Sequence, residues 1–377
     1  MSTFKVDTIN NDGTNAIDAT NGFTIAGNSI VQGYTSSASE PSSPSTGDLW
    51  WDSTNEVLKR YINSEWKELS FAAAAGIWYG DRAIFAGGGQ QGVSSSGTNR
   101  IAYFDITSTG NATDFGDLTD TLRRCDAVSD ATYGVIIGKM DGDYSTNRTN
   151  EMEYVTIATT GNSSDFGDLI SGVQTYTASC GDGTKGVISG GIVSSYTNVI
   201  QYITVASPSN ATDFGDLTVN RGAHGSCNDT TRGLFAGGGT GSGNTNTIEY
   251  ITIATTGNGT SFGNLTSSKA SLAGTSDDTY GVFGGGSGST NVIEYVTIQT
   301  TSNASDFGDL TKGAHSLAAT SNNSRGVFIG GTVNNSGVYS STDIISYITI
   351  STAGNATDFG DMDYASSELC ATSGAAS

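Results

Sequence analysis

Along most of this chain, short alternations of apolar and polar residues are cut every few positions by Gly, Asn, Asp or Ser. Ile248-Glu249-Tyr250-Ile251-Thr252-Ile253 is typical. A period of two predicts strands, and the breakers predict tight turns between them. One pattern recurs six times: Tyr103, Tyr154, Tyr202, Tyr250, Tyr295 and Tyr347 are each followed 12 residues later by Phe115, Phe166, Phe214, Phe262, Phe307 and Phe359. The copies are spaced by 45 to 52 residues, a repeat-array period. Each copy predicts four strands. A small-residue segment such as Ser316-Leu317-Ala318-Ala319 comes first, then a Gly-Val-Phe strand ending in paired glycines. The Tyr strand and the Asp-Phe-Gly-Asp-Leu strand follow. Four strands per repeat predict a β-propeller, and six copies predict six four-stranded blades over residues 71–377. Residues 367–373 match an innermost strand with nothing after it. Pairing it with the first glycine strand near Arg82 would close the ring, with Phe71-Ala72-Ala73-Ala74-Ala75 competing for that slot.

The region before the repeats divides in three. Residues 1–35 alternate Val6-Asp7-Thr8-Ile9 with Phe23-Thr24-Ile25 around Asn-Gly turn signals; they predict a small β-rich anchoring or oligomerising segment. Residues 36–47, rich in Ser and Pro, read as an extended linker. Residues 48–70 predict a three-stranded meander whose apolar mass is Trp50, Trp51 and Trp66.

One link in each repeat varies in length. From the glycine strand to the next Tyr the count runs from 12 to 19, while the other links are nearly constant. In a propeller these connectors share one face, so freedom of length there means freedom from packing. Gln90, Gln91, Tyr144, Tyr196, Asn334 and Tyr339 in these connectors are the candidate ligand-binding residues, aromatic anchors among short polar groups. The six Phe are assigned a structural role. The recurring Asp-Phe-Gly-Asp is read as a turn, with Asp capping backbone N–H groups and Gly taking a special dihedral; a catalytic carboxylate pair would be needed only once.

Composition narrows the function. The formal net charge is −21 over 377 residues, which argues against nucleic acid as partner. No apolar run reaches the ~18 residues of a membrane span. The two histidines and four cysteines show no zinc spacing. Asp141-Gly142-Asp143-Tyr144-Ser145 spaces oxygens as calcium loops do, but lacks the later glycine and glutamate. No catalytic residue, metal or cofactor is therefore assigned. Cys125, Cys180, Cys227 and Cys370 lie in four different repeats and are expected to be free thiols, too far apart to bridge.

Residues 221–262, with Arg221, His224, Arg232-Gly233-Leu234-Phe235-Ala236-Gly237-Gly238, Tyr250 and Phe262, resemble a divergent kelch unit. The stretches 248–258 and Asn210-Ala211-Thr212-Asp213-Phe214-Gly215-Asp216-Leu217 resemble propeller repeats in virion proteins of marine and cyanobacterial tailed phages. Gly47-Asp48-Leu49-Trp50-Trp51-Asp52-Ser53 resembles a small module of phage tail and fibre proteins. Ser163-Ser164-Asp165-Phe166-Gly167 is loosely similar to a turn of six-bladed sialidases, whose arginine trio has no counterpart here. The phage resemblance implies a non-enzymatic virion appendage. Residues 1–70 would contact other virion proteins, a homotrimer is favoured, and the propeller would meet host glycan or an envelope protein. The alternative is a structural or decorative virion protein whose propeller only packs on its neighbours; a glycan-cleaving depolymerase is the third reading.

Overall fold

The computed structural model describes residues 24–25, 28–29, 35–46, 48–52, 57–62, 64–68, 78–89, 97–140, 148–170 and 175–375. Gln90, Gln91, Tyr144, the 71–75 segment and most of the 1–35 region lie outside them. The chain forms two compact units, residues 1–74 and 75–377.

In the first unit, Leu49–Asp52, Val57–Ile62 and Glu65–Glu68 form the antiparallel meander. The linker is corrected at its start: Thr35–Ser37 is a fourth strand, parallel to Leu49–Asp52, with Ser36 opposite Trp51. The physical reason is the unpaired edge of the Trp strand, which offers backbone groups that an extended serine-rich segment can satisfy. Trp50 is buried, donates Nε1–H to Ser37 O at 3.1 Å and meets Trp66 edge to face at 5.5 Å.

The second unit is a β-propeller arrangement, without helices among its described residues. Four separate four-stranded antiparallel sheets carry the repeats from Asp126–Ser129 through Ser305–Asp309, each running from the small-residue strand outward to the Phe strand. The expectation of six separate four-stranded blades is corrected here. Nine of the remaining strands fuse into one sheet, and Gly239–Thr240 with Gly243–Asn244 form a small two-stranded hairpin apart from it. Thr357–Gly374 stays extended where the other repeats turn. Thr357–Asp361 pairs with the Tyr347 strand, and Ser367–Gly374 pairs antiparallel with Arg82–Gly89.

The core lies between sheets. Val128 and Phe166 of one repeat pack on Ile188, Ile203 and Val205 of the next. Packing explains the glycine that opens each Gly-Val-Phe strand. A Cβ on Gly233 would stand 2.2 Å from Cys180 Sγ, and one on Gly281 would stand 2.3 Å from Cys227 Sγ. At these two junctions the innermost strand drops a cysteine side chain into a notch that only glycine leaves open.

Two closed circles of hydrogen bonds link the repeats. At the outer strands, the Asn111, Asn162, Asn210, Asn258, Asn303 and Asn355 side chains accept N–H bonds from Asp361, Asp117, Asp168, Asp216, Asn264 and Asp309, at 3.0–3.1 Å. The glycine of each Asp-Phe-Gly-Asp run comes so near the neighbouring repeat that a Cβ on Gly116 would be 2.3 Å from Gly161 O. In this clamp the Asp main chain donates and the asparagine accepts, so the predicted capping role belongs to asparagine. At the centre, Arg124, Tyr176, Ala223, Ser271, Ser316 and Glu368 all have positive φ, between 54° and 60°. The N–H of each donates to the carbonyl of the equivalent residue in the preceding repeat at 2.6–3.1 Å, Arg124 to Glu368 included.

Candidate functional site

Three of the described connectors leave paired glycines and pair with the segment leading into an innermost strand. Thr175 and Ile192 exchange both backbone bonds, Gly222 bridges Gly239, and Ala314–His315 pairs with Val333 and Thr332. Described connectors and strand starts therefore share one face of the disc.

On that face the structure brings two of the candidates together. Asn334 stands opposite Tyr339 across a hairpin formed by Thr332–Asn335 and the start of Val338–Thr349. Asn334 Oδ1 accepts the Gly337 N–H at 2.7 Å, fixing the turn. Tyr339 is 46% exposed, next to Val338 at 66%, and its ring meets the His315 imidazole edge to face at 6.0 Å. His315 Nδ1 lies 3.0 Å from Ser289 Oγ, and partial burial lowers the imidazole's pKa. The neutral ring thus offers an aromatic edge beside Tyr339. Tyr196 sits elsewhere, half-buried, with its hydroxyl against the backbone of Gly239 in the next repeat. It is a packing residue as much as a surface one.

Sequence reasoning missed the mouth of the central channel. Glu368 accepts hydrogen bonds from Arg124 Nε and the Tyr176 hydroxyl, both at 3.0 Å, and forms an ion pair with Arg123, whose Nε lies 3.2 Å away; Arg124 lies 4.8 Å above the Tyr176 ring. Ala223, Ser271 and Ser316 occupy the equivalent places on the other half of the circle, so the mouth is charged on one side and small on the other. The signal was available: these positions lie nine residues after Phe in five copies and ten after Phe166. Positive φ at non-glycine residues left no compositional mark.

Below the mouth is a cavity of about 150 Å³, lined by the innermost strands. Ser129, Ser373, Ser321 and Ser276 donate Oγ–H, and Asn228 donates Nδ2–H, to main-chain carbonyls of the preceding repeats at 2.6–2.7 Å; Gly181 interrupts this belt. Asp126 contributes a buried carboxylate oxygen, Oδ2, with no hydrogen-bond partner. Burial pushes this carboxyl up to about 7, against the opposing pull of hydrogen bonds from Ser179 and Ala127. His224 is buried, with Nε2 2.9 Å from Ser189 Oγ; desolvation, and then the nearby Arg221 charge, drive its pKa well below the ordinary value.

The arginines and lysine that open the glycine strands are structural. Arg82, Lys185, Arg232 and Arg325 lie 4.5–5.0 Å over Tyr103, Tyr202, Tyr250 and Tyr347. No group of three or more His, Cys, Asp or Glu side chains is placed to hold a metal among the described residues. The arrangement offers hydrogen bonds, aromatic surface and a guanidinium–carboxylate cluster. When the sequence is compared with known proteins, no family model and no curated protein matches it.

Proposed function

We propose that this chain is a non-enzymatic appendage of a tailed-phage virion, attached to other virion proteins through residues 1–70 and assembled as a homotrimer. The second unit is read as six blades, the nine-stranded sheet counting as two joined by Thr357–Gly374. Its connector face is presented to a host-surface glycan. The observation that carries this reading is the hairpin crest, where Tyr339, Asn334 and Val338 are exposed together on the face whose connector lengths are free. An exposed tyrosine offers a flat apolar ring with a polar tip, the surface a sugar stacks on, and amides supply bonds to its hydroxyls.

The test is binding of the full chain to a glycan array and to host-cell polysaccharide. Binding is expected, with a loss of at least tenfold in affinity for a Tyr339→Ala, Asn334→Ala double variant of unchanged thermal midpoint. Binding untouched by the variant would overturn the assignment to this hairpin. No binding to any host surface would favour the decorative virion role, and release of reducing sugar would make the chain a depolymerase.

A further inference from the structure

Two of the four thiols are not apart. Cys125 Sγ and Cys370 Sγ each contact the main-chain oxygen of Ala86, both at 3.7 Å, which confines the two sulfurs to within twice that distance of each other. They belong to one packed cluster. The expectation that separate repeats keep their cysteines apart fails for this pair. Cys370 lies on the chain's last strand, beside the segment that begins at Cys125, and the Cys125 thiol also approaches Glu368 O at 3.9 Å. Both thiols are free; Cys370 is buried, whereas Cys125 keeps some exposure to solvent. Cys180 and Cys227 differ from them, each seated in a glycine notch of the following sheet.

We propose that Cys125 and Cys370 are a disulfide-forming site that covalently locks the last strand, Ser367–Gly374, into the ring. A low-molecular-weight disulfide supplies the oxidising equivalents. The Cys125 thiolate, the solvent-reachable one, attacks one sulfur of the small disulfide; an S–S bond forms to Cys125 and one small thiolate leaves, taking a proton from solvent. The Cys370 thiol then gives up its proton and attacks Cys125 Sγ, forming the protein disulfide and expelling the second small thiolate. Two protein thiols are oxidised and one small disulfide is reduced to two thiols. Burial and the neighbouring Cys125 thiol raise the pKa of Cys370, which makes the second step the slow one.

The inference is independent of the phage reading. Its test uses the full chain, reduced and then incubated with oxidised glutathione. Peptide mapping without reductant is expected to find a Cys125–Cys370 cross-link, two of four thiols lost to titration, and a thermal midpoint raised by roughly 5 °C and returned by dithiothreitol. A Cys125→Ser variant is expected to keep three titratable thiols and the reduced midpoint under the same treatment. Four free thiols after oxidation, glutathione retained on Cys125, or protection of the pair only by an added thiophilic metal such as Zn²⁺ would each overturn the proposal.

Discussion

Single residues carry charge into places where water cannot follow. Arg221 is fully buried and donates to Gly237 O, Thr247 O and Thr247 Oγ1, all at 3.0 Å, and to the Glu249 carboxylate. Arg221→Met leaves Glu249 buried without its cation. It is expected to lower stability by roughly 3–5 kcal/mol, measured by urea unfolding. Asp126 acts on the pH profile. In the unfolded chain its carboxyl ionises near the ordinary ~4, but the fold holds its proton until about 7. Between those values the unfolded chain has released a proton that the native chain keeps, so this group's contribution falls as pH rises through the window. Asp126→Asn is expected to remove a loss on the order of 3 kcal/mol between pH 4 and 8, read from unfolding midpoints across that range. His224 works in the opposite sense: with its folded pKa depressed, the stability it lends is lost as pH falls below the usual histidine value. Little of this was legible beforehand: Asp126 and His224 do not recur at matching places, and the Arg221–Glu249 pair has one counterpart, Lys269 with Glu294. Their burial depends on which neighbouring sheet they meet.

At the level of strands, the sequence was far more readable. The Tyr-to-Phe interval and the paired glycines located the strands, since both follow from local geometry that every copy repeats. What escaped was continuity. Nothing in Met362-Asp363-Tyr364-Ala365-Ser366 differs in kind from the loops of the other repeats, yet it stays extended and joins two sheets. Tyr364 is tied there by its hydroxyl to Gly87 O at 3.1 Å and by Arg100, 4.8 Å above its ring, contacts that no local pattern announces. The Ser36–Ser37 strand escaped similarly, because its partner edge is set by the Trp meander. Deleting residues 367–377 uncovers the inner edge of Arg82–Gly89 and breaks both neighbouring links of the central circle. Such a chain is expected to unfold over a broader urea range, with lower cooperativity, and to aggregate through the exposed edge. Two coincident, sharp transitions by fluorescence and circular dichroism would contradict that outcome.

Taken whole, the molecule separates a fixed scaffold from a free face. Asparagine clamps outside and positive-φ backbone links inside hold the repeats in one register, and length is allowed to vary only between them. The candidate hairpin with Asn334 and Tyr339 could be named in advance because variation itself was the clue. The charged mouth around Glu368 was missed although its members hold one place in the repeat, because Arg124 and Tyr176 meet Glu368 only through closure, across 244 and 192 residues. That same closure sets a timetable. As the polypeptide leaves the ribosome, Arg82–Gly89 emerges well before its partner, Ser367–Gly374, and must wait until all the repeats between them have been made. Until then the nascent chain carries an open seam that a chaperone or a second nascent copy could occupy first.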